Sequence, residues 1–449
     1  MTAMSRRTFL ERGTQGGLGA AIGICSLVSS SRAVPASDKV VVGVMGVGGR
    51  GTFLTTLFAS RPDVEIAYIC DVDSSKLGGA AKGVEELTTK RPKSVGDFRR
   101  MLDDRQVDAI INATPEHWHG LGTILACQAG KDVYVEKPAS HNIWEGRKMV
   151  EAARKYKRVV QVGMQNRSAP YGRSAQEHIR AGRLGSIHLV RVFNMLNRET
   201  IQKTADTPVP AGLDWDMYLG PAAARPFNPV WRKRVFWDLD GGNITDDGVH
   251  QLDLARSIIG KSYPKSVHHA GGNLFFKDVA ETPDTMLVTY EYDTLTLVFE
   301  ASWWTPYMKK TPQHIRDGDL LPDWFPCNAT RIEIYGTKGM MLVGRHGGGW
   351  QIYDAEGQKD LFEYGHHTKM QMAHVENFVN CIRSRKQPNA DIEEGHVSAS
   401  LCHLANISYR VGNRRLEFDA AAGTFVNDKE ADRYLKRSYR KPWVIPENV

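Results

Sequence analysis

A glycine-rich turn between an apolar strand and a helix is the feature that most constrains how this chain can fold. Residues 39–45 form a β-branched run that leads directly into Gly46-Val-Gly-Gly-Arg-Gly51, and apolar residues at helical spacing follow. In such a unit Gly46 permits the tight turn, Gly48 lets backbone N–H groups approach a pyrophosphate, and Gly51 allows close helix-to-strand packing. The helix N-terminus favours the phosphate charge. The pattern predicts a dinucleotide site with contacts from Gly46, Gly48, Gly49, Arg50 and Gly51.

A carboxylate follows the second predicted strand. Residues 64–70 are apolar and end in Asp71, which lies 20 residues past Gly51. A carboxylate at this point accepts hydrogen bonds from both ribose hydroxyls and repels a 2′-phosphate, so the sequence predicts NAD in preference to NADP. The alternative is that Asp71 is an ordinary turn residue after a strand.

Two further apolar runs continue the same sheet. Residues 107–113 and 132–135 are predicted as its fourth and fifth strands, and they are followed by Thr114-Pro115 and by Glu136-Lys137-Pro138. Ligands of open α/β sheets bind at the carboxyl ends of the strands. Strands that alternate with helices predict a Rossmann domain with a doubly wound parallel sheet.

The length of 449 residues exceeds what one core supports, so a second domain is expected. We assign residues 38–160 to the NAD-binding Rossmann domain and residues 161–449 to an α+β domain for substrate binding and oligomerisation. A helix is predicted over 244–259, and a large, mostly antiparallel sheet is predicted from strands at 186–194, 285–292, 295–302, 331–335 and 340–343.

Composition and charge exclude two classes of partner. Beyond the N-terminal region no apolar stretch reaches the roughly 18 residues that a membrane helix needs. The formal net charge is +7, but no dense Lys/Arg stripe is interleaved with aromatic residues, so a nucleic-acid surface is not expected. We expect no membrane or nucleic-acid partner, and we expect a homo-oligomer.

The first 36 residues are predicted to be a signal peptide. Ser5-Arg6-Arg7-Thr8-Phe9-Leu10 precedes a weakly apolar, glycine-rich run and then small residues. The paired arginines followed by Phe-Leu resemble the twin-arginine signal, which implies export of a folded protein to the periplasm. The alternative is a basic amphipathic helix that stays attached.

Five motifs in order carry a family resemblance. They are the glycine turn, Ala113-Thr-Pro115 with His119 behind it, Glu136-Lys137-Pro138, Gly163-Met-Gln165-Asn166-Arg167, and the run from Gly241 to His250. The chain resembles the glucose-fructose oxidoreductase, inositol dehydrogenase and rhizopine-catabolism (Gfo/Idh/MocA) oxidoreductases over about residues 38 to 420. The resemblance implies the two-domain fold described above and hydride transfer on a CH–OH group.

The resemblance implies that Lys137 reaches the nicotinamide and the substrate, while Asp246 and His250 complete the catalytic group. The chemistry agrees, because oxidising a secondary alcohol needs a base for the hydroxyl proton, and histidine titrates in the right range. Lys137 adds positive charge near the developing oxyanion. Asp247 is the alternative acid, but the four-residue spacing to His250 on a helix favours Asp246.

The remaining predicted contacts border the same motifs. Cofactor contacts are expected from Asp71, Thr114, Pro115, His119, Glu136, Lys137, Gln165 and Asn166, and substrate contacts from Lys137, Arg167, Asp246 and His250. Helix packing explains His119 and Arg167 nearly as well. No metal is expected, because the histidine pairs come with neither cysteine pairs nor an HExxH helix.

Three functions are compatible with these motifs. The first is NAD-dependent hydride transfer on a sugar or polyol, with a tightly held cofactor that is recycled because a periplasm lacks free nicotinamide nucleotides. The second is an NAD-dependent glycosidase or lyase that oxidises a sugar transiently; such enzymes tend to lack the Glu-Lys-Pro motif that this chain has at 136–138. The third is a non-catalytic sugar-binding sensor, since fold alone does not establish function.

Overall fold

The chain divides into two compact units. The computed structural model describes residues 38–322 and 328–449. One unit comprises residues 38–114, 125–134 and 209–218, and the other comprises 115–124, 135–208 and 219–449. The predicted signal peptide lies outside the described residues, and the predicted domain boundary at residue 160 stays a prediction.

The first sheet has six strands in the order β3-β2-β1-β4-β5-β6. Their bounds are β1 Val40–Met45, β2 Val64–Cys70, β3 Lys93–Val95, β4 Ala109–Asn112, β5 Asp132–Val135 and β6 Val160–Val162. β1 pairs in parallel with β2 and β4, and β2 pairs in parallel with β3. Every residue of β4 and β5 is buried, as expected for a parallel sheet that is covered on both faces. The predicted Rossmann sheet is confirmed.

Helices of the first half follow the strands. Their bounds are α1 Gly49–Ala59, α2 Ser74–Thr88, α3 Arg99–Asp103, α4 Glu116–Gln128, α5 Ile143–Lys155, α6 Pro170–Arg180 and α7 Trp215–Leu219. Helix α1 starts directly after the glycine turn and buries Leu54, Leu57 and Phe58. The turn is therefore held between β1 and a helix whose apolar side chains lie in the core.

The second sheet has ten strands and is mostly antiparallel, as predicted. The strand order is β14-β13-β12-β11-β7-β10-β9-β8-β15-β16. Their bounds are β7 Ile187–Met195, β8 Ser266–Gly272, β9 Thr285–Glu291, β10 Thr296–Ser302, β11 Arg331–Gly336, β12 Gly339–Gly344, β13 Trp350–Asp354, β14 Lys359–Glu363, β15 Leu416–Asp419 and β16 Thr424–Phe425. Within the described residues, β7 and β10 are the only neighbouring strands of this sheet that run parallel. Parallel neighbours need a long crossover connection, and about a hundred residues separate these two strands.

One face of this sheet forms the core of the second unit. Burial alternates along β9 and β10, and Val190, Val192, Leu297, Phe299 and Ile332 on the central strands have no exposed surface. The helices of the second half are α8 Val249–Ile259, α9 Gln313–Arg316, α10 His367–Ser384, α11 Ile392–Arg410 and α12 Lys429–Asp432. The long helix α11 is buried over nearly all its length.

The predicted helix over 244–259 is not uniform. Ile244–Gly248 form a π-helical turn, and α8 begins only at Val249. The turn lies close to the sheet, because a Cβ at Gly248 would come within 2.6 Å of the Phe299 ring. Such π-helical turns occur frequently at functional sites. The turn carries Asp246 and Asp247.

Within residues 38–322 and 328–449, no helix combines the length and apolar character needed to cross a membrane.

Candidate active site

The glycine turn of the first unit has the predicted geometry. Gly46 has a φ of +87°, and a Cβ at Gly51 would overlap the carbonyl oxygen of Gly46. By contrast, a Cβ at Gly48 or Gly49 would meet nothing within 4 Å. Gly46 and Gly51 are therefore required by the backbone itself, whereas the outer face of Gly48 and Gly49 is open to an approaching group. Arg50, next in the turn, lies over the Phe53 ring at 5.1 Å.

The start of helix α1 suits an anion. Its N-cap residue Gly48 makes no side-chain capping hydrogen bond, and its first turn has no acidic residue. The first N–H groups of a helix have no partner within the helix, and together with the helix dipole they favour phosphate. These residues fit the pyrophosphate of NAD.

Asp71 ties the glycine turn to the end of β2. One carboxylate oxygen accepts a hydrogen bond from the Val47 N–H at 2.9 Å, and the other accepts one from the Asp73 N–H at 2.9 Å. Each carboxylate oxygen has a second lone pair, so the group is still able to accept ribose hydroxyls. At the end of β4, the Thr114 hydroxyl donates to Asn112 Oδ1 at 2.6 Å, which orders the residue directly before Pro115.

In the second unit, Lys137 meets Asp246 although 109 residues separate them. The Lys137 ammonium donates to the backbone carbonyl of Asp246 and lies 3.2 Å from its carboxylate. Arg234 donates to the same carboxylate. Burial raises the pKa of Asp246, but Lys137 and Arg234 outweigh burial and bring the pKa below its ordinary value. Asp246 is therefore an ionised anchor for Lys137.

Neighbouring side chains hold the Lys137 segment. His119 Nδ1 lies 2.6 Å from the carbonyl oxygen of Pro138, and Glu136 accepts a hydrogen bond from the Lys137 N–H at 3.2 Å. The Gln165 amide lies 3.5 Å from the other oxygen of Glu136. These contacts give His119, Glu136 and Gln165 a positioning role around Lys137, and their predicted cofactor contacts stay predictions.

Asp247, the second acid of the pair, has its own cations. Its carboxylate lies 2.6 Å from Arg345 and 3.1 Å from Lys310. Burial raises the pKa of Asp247, but Arg345, Lys310 and His250 together hold the pKa far below its ordinary value. Asp247 and His250 therefore interact electrostatically. The four-residue spacing that favoured Asp246 assumes a continuous α-helix, and the π-helical turn removes that assumption.

A loop that the sequence analysis missed completes the surroundings of His250. The centroids of the His346 and His250 rings are 4.5 Å apart, and the angle between the ring planes is 73°. His346 has a φ of +51°, and its N–H donates to Asn166 Oδ1 at 3.1 Å. Asn166, predicted to contact cofactor, therefore holds this loop. The signal in the sequence was the glycine-rich run at 344–349, which marks a tight turn after β12.

Arg167 lies in a different environment. Its guanidinium is 2.8 Å from Asp253 and 3.1 Å from Glu394, on α8 and α11. Together with Asn166 it borders a cavity of about 180 Å³ that is also lined by Gln176 and other residues. Its predicted contact with substrate stays a prediction.

Glu116 is a buried carboxylate that the sequence analysis did not single out. It is 7% exposed, and the Thr245 hydroxyl donates to it at 3.3 Å. Burial raises the pKa of Glu116 to about 7; Asp246 adds to the rise, while Lys137 and Arg234 oppose it. Burial also raises the pKa of Asp240, with Glu116 contributing. Near neutral pH, Glu116 and Asp240 therefore carry less negative charge than two fully ionised carboxylates would.

This pKa predicts that the stability of the protein depends on pH, and that Glu116→Gln makes this dependence weaker. Since the folded pKa of about 7 exceeds the ordinary 4.5, the unfolded chain loses this proton first, and stability falls as pH rises between these values. The fall amounts to about 3 kcal/mol at 1.36 kcal/mol per pKa unit. We expect the difference in unfolding free energy between pH 5 and pH 8 to shrink in Glu116→Gln, measured by urea denaturation.

Glu376→Gln is the matched control, because Glu376 lies exposed on α10 of the same unit. It should leave the pH dependence as in the wild type. An unchanged pH dependence in Glu116→Gln would contradict the assignment.

Three family models match the chain. "Oxidoreductase family, NAD-binding Rossmann fold" matches residues 40–164, "GFO/IDH/MocA C-terminal domain" matches 218–342, and "Oxidoreductase family, C-terminal alpha/beta domain" matches 358–445.

The chain is also similar to individual relatives and to a solved structure. The scyllo-inositol 2-dehydrogenase (NAD(+)) of Bacillus subtilis is 24% identical over 383 residues, which are 83% of this chain and 95% of that protein. A glycosyl hydrolase family 109 protein of Saccharopolyspora erythraea is 32% identical over 174 residues, 34% of this chain and 38% of that protein. The solved structure of levoglucosan dehydrogenase in complex with NADH and levoglucosan has a TM-score of 0.63 and 17% identity, and the match covers 84% of this chain and 99% of that chain.

Proposed function

Because the chain belongs to the Gfo/Idh/MocA oxidoreductase family, we propose that it transfers hydride between NAD and a secondary hydroxyl of a sugar or polyol. The protein is an NAD-binding oxidoreductase that acts on CH–OH groups. The observation that carries the proposal is the contact of Lys137 with Asp246, on the π-helical turn that leads directly into α8 and His250. A cation for an oxyanion and a base for a proton are what this chemistry needs.

Each residue has a defined part in the proposed reaction. Bound NAD supplies the hydride acceptor. His250 takes the proton of the substrate hydroxyl, and the ionised Asp247 stabilises the imidazolium that forms. Lys137 stabilises negative charge on the substrate oxygen, and Asp246 keeps the ammonium in place through its carbonyl and carboxylate oxygens. In the reverse direction His250 returns the proton as the ketone is reduced.

The nature of the substrate is supported by the names of the relatives. One acts on an inositol, and one structural neighbour was solved with levoglucosan, an anhydrosugar. Both compounds present secondary hydroxyl groups on a six-membered ring. A sugar or polyol with such hydroxyls is the substrate class we propose here.

We propose further that the protein works in the periplasm and keeps its NAD bound through repeated turnovers. The support is the paired Arg6-Arg7 segment at the start of a chain that has a dinucleotide site. A compartment without free nicotinamide nucleotides requires that the reduced cofactor be reoxidised in place, for example by a second sugar.

One experiment tests these proposals together. The full-length protein is expressed, isolated from the periplasmic fraction and denatured, and the released nucleotide is identified by mass spectrometry. The native protein is then mixed with hexoses and inositols while the absorbance of reduced nicotinamide is followed. We expect NAD(H) in the preparation and reduction by at least one sugar. If the protein neither contains nor binds the nucleotide, the proposed oxidoreductase activity is wrong. If the protein is found only in the cytoplasm, the proposed export is wrong.

The second candidate is an NAD-dependent glycosidase, favoured by the relative of glycosyl hydrolase family 109. That match covers only 34% of this chain, and Glu136-Lys137-Pro138 argues for the dehydrogenase. Release of free sugar from an aryl glycoside without net formation of NADH would reverse this ranking.

A further inference from the structure

The site around Asp246 and Asp247 carries more positive than negative charge. Asp246 is shared by Lys137 and Arg234, and Asp247 is shared by Arg345 and Lys310. Two carboxylates are thus placed against four cations, while the neighbouring Arg316 and Asp317 add one charge of each sign. The other two acids of the cluster, Glu116 and Asp240, are buried and hold their protons to a higher pH than usual.

The cations differ in how open they are to solvent. The side chains of Lys137 and Arg345 are only 13% and 8% exposed, so their contacts hold them in place. Those of Arg234 and Lys310 are 60% and 49% exposed. The two outer cations therefore have donor groups that a ligand can reach while each stays next to its carboxylate.

An excess of cations costs free energy unless an anion arrives to balance it. Partial burial of the Lys310 side chain lowers its pKa even with Asp247 beside it, and repulsion from Arg345 lowers the pKa further. A ligand anion next to Lys310 removes part of this repulsion. Charge-assisted hydrogen bonds from Arg and Lys to carboxylate or phosphate oxygens are among the stronger polar contacts in proteins.

We propose that the substrate is an anionic sugar, whose carboxylate or phosphate ester is bound by Lys310 and Arg234. This rests on the proposed function, since the same cluster holds Lys137 and the acid that acts on His250. The oxyanion anchors the ring from one side, and the hydroxyl to be oxidised lies toward Lys137 and His250. Specificity for the anion then comes from two residues that do not take part in proton transfer.

The phosphates of the cofactor are the competing source of negative charge. In the first unit, the uncapped start of α1 already provides a site for them. The affinity of the protein for NAD therefore distinguishes the two uses: loss of Lys310 should not weaken NAD binding if this cation serves the substrate.

The test uses matched sugars with the full-length native protein. We compare kcat/KM and calorimetric binding for three forms of glucose: the neutral sugar, glucuronate and glucose 6-phosphate. The same three forms of galactose are compared in the same way. We expect at least one anionic form to exceed its neutral parent by about 10- to 100-fold, the range that charged hydrogen bonds provide, and to lose affinity as salt increases. Calorimetry needs no turnover, so it tests the anion site separately from the reaction. Salt-sensitive binding of an anionic sugar with no turnover of any sugar would leave the anion site standing and overturn the proposed hydride transfer.

Lys310→Gln and Arg234→Gln should lower kcat/KM for the anionic form by about 10- to 100-fold more than for the neutral sugar, with NAD affinity nearly unchanged. Any effect that acts through Asp246 or Asp247 lowers both forms alike, so the difference between the two forms is the readout. Lys265→Gln is the control, because Lys265 is an exposed lysine of the same unit that pairs with Asp293. Preference for the neutral sugar, equal losses for both forms, or weakened NAD binding in Lys310→Gln would each overturn the inference and leave the dehydrogenase standing. Absence of both binding and turnover for every sugar would overturn both.

Discussion

Lys137→Met is expected to lower kcat/KM for the sugar by about 10²- to 10⁴-fold, the range typical of losing an acid–base or charge-stabilising group. The substitution keeps most of the side-chain length and removes only the charge that Asp246 now holds. Arg234 still neutralises the Asp246 carboxylate, so the fold should remain intact. The fall should appear in kcat, because Lys137 acts when negative charge develops on the substrate oxygen. Steady-state kinetics with the sugar identified in the panel measures it.

Lys148→Met provides a closely matched control. The Lys148 side chain is 14% exposed, against 13% for Lys137, and it forms an ion pair with Glu151 at 2.7 Å in the same unit. A general effect of losing a largely buried lysine would lower the activity of both variants alike. We expect Lys148→Met to keep full activity and Lys137→Met to lose it. Both variants should bind NAD equally well. Activity of Lys137→Met within twofold of wild type would remove Lys137 from the mechanism.

Gly51→Ala is expected to lower NAD affinity by about 10- to 100-fold and the free energy of unfolding by about 1–3 kcal/mol, as for other overpacked sites. The added Cβ would overlap the carbonyl oxygen of Gly46, which is backbone and has no rotamer to change. Either the turn or the start of α1 must therefore shift. Fluorescence titration with NADH and urea denaturation measure the two effects.

Gly78→Ala is the same substitution in a different setting. Gly78 lies on α2 of the same unit, and a Cβ there would meet nothing within 4 Å. Since alanine favours helix over glycine by roughly 0.5–1 kcal/mol, this control should stabilise the protein slightly and leave NAD binding unchanged. If Gly51→Ala behaved like Gly78→Ala, the close approach of α1 to the turn would not be what requires glycine.

Much of the fold could be predicted from the sequence because it depends on local patterns. β-branched runs bounded by turns predicted β1, β2, β4 and β5 within a few residues, since strands buried on both faces consist of continuous apolar residues. The glycine turn was equally clear, because only glycine tolerates the φ of Gly46 and the contact at Gly51. In the second sheet, five strands were not predicted, namely β8, β13, β14, β15 and β16. They are short or carry polar and glycine residues, so they lack a continuous apolar run.

Only some of the residues that form the site could be predicted from the sequence. Lys137, Asp246 and His250 were identified because the motifs around them resemble a family, not because spacing alone selects them. Arg234, Lys310, Arg345 and His346 carry no local signal beyond the glycine-rich turn at 344–349. A cation or imidazole in a loop is usually a solvated surface group, so sequence reasoning has no ground for choosing these.

By itself, then, the sequence determined the Rossmann sheet, its dinucleotide turn and the family to which the chain belongs. Only the tertiary structure decided which acid serves which partner: Asp246 anchors Lys137 from 109 residues away, and Asp247 binds Arg345 from 98 residues away. The physical reason is that adjacent side chains diverge according to the local helix type. Here a π-helical turn packed against Phe299 sets their directions, and that packing depends on strand β10, distant in sequence.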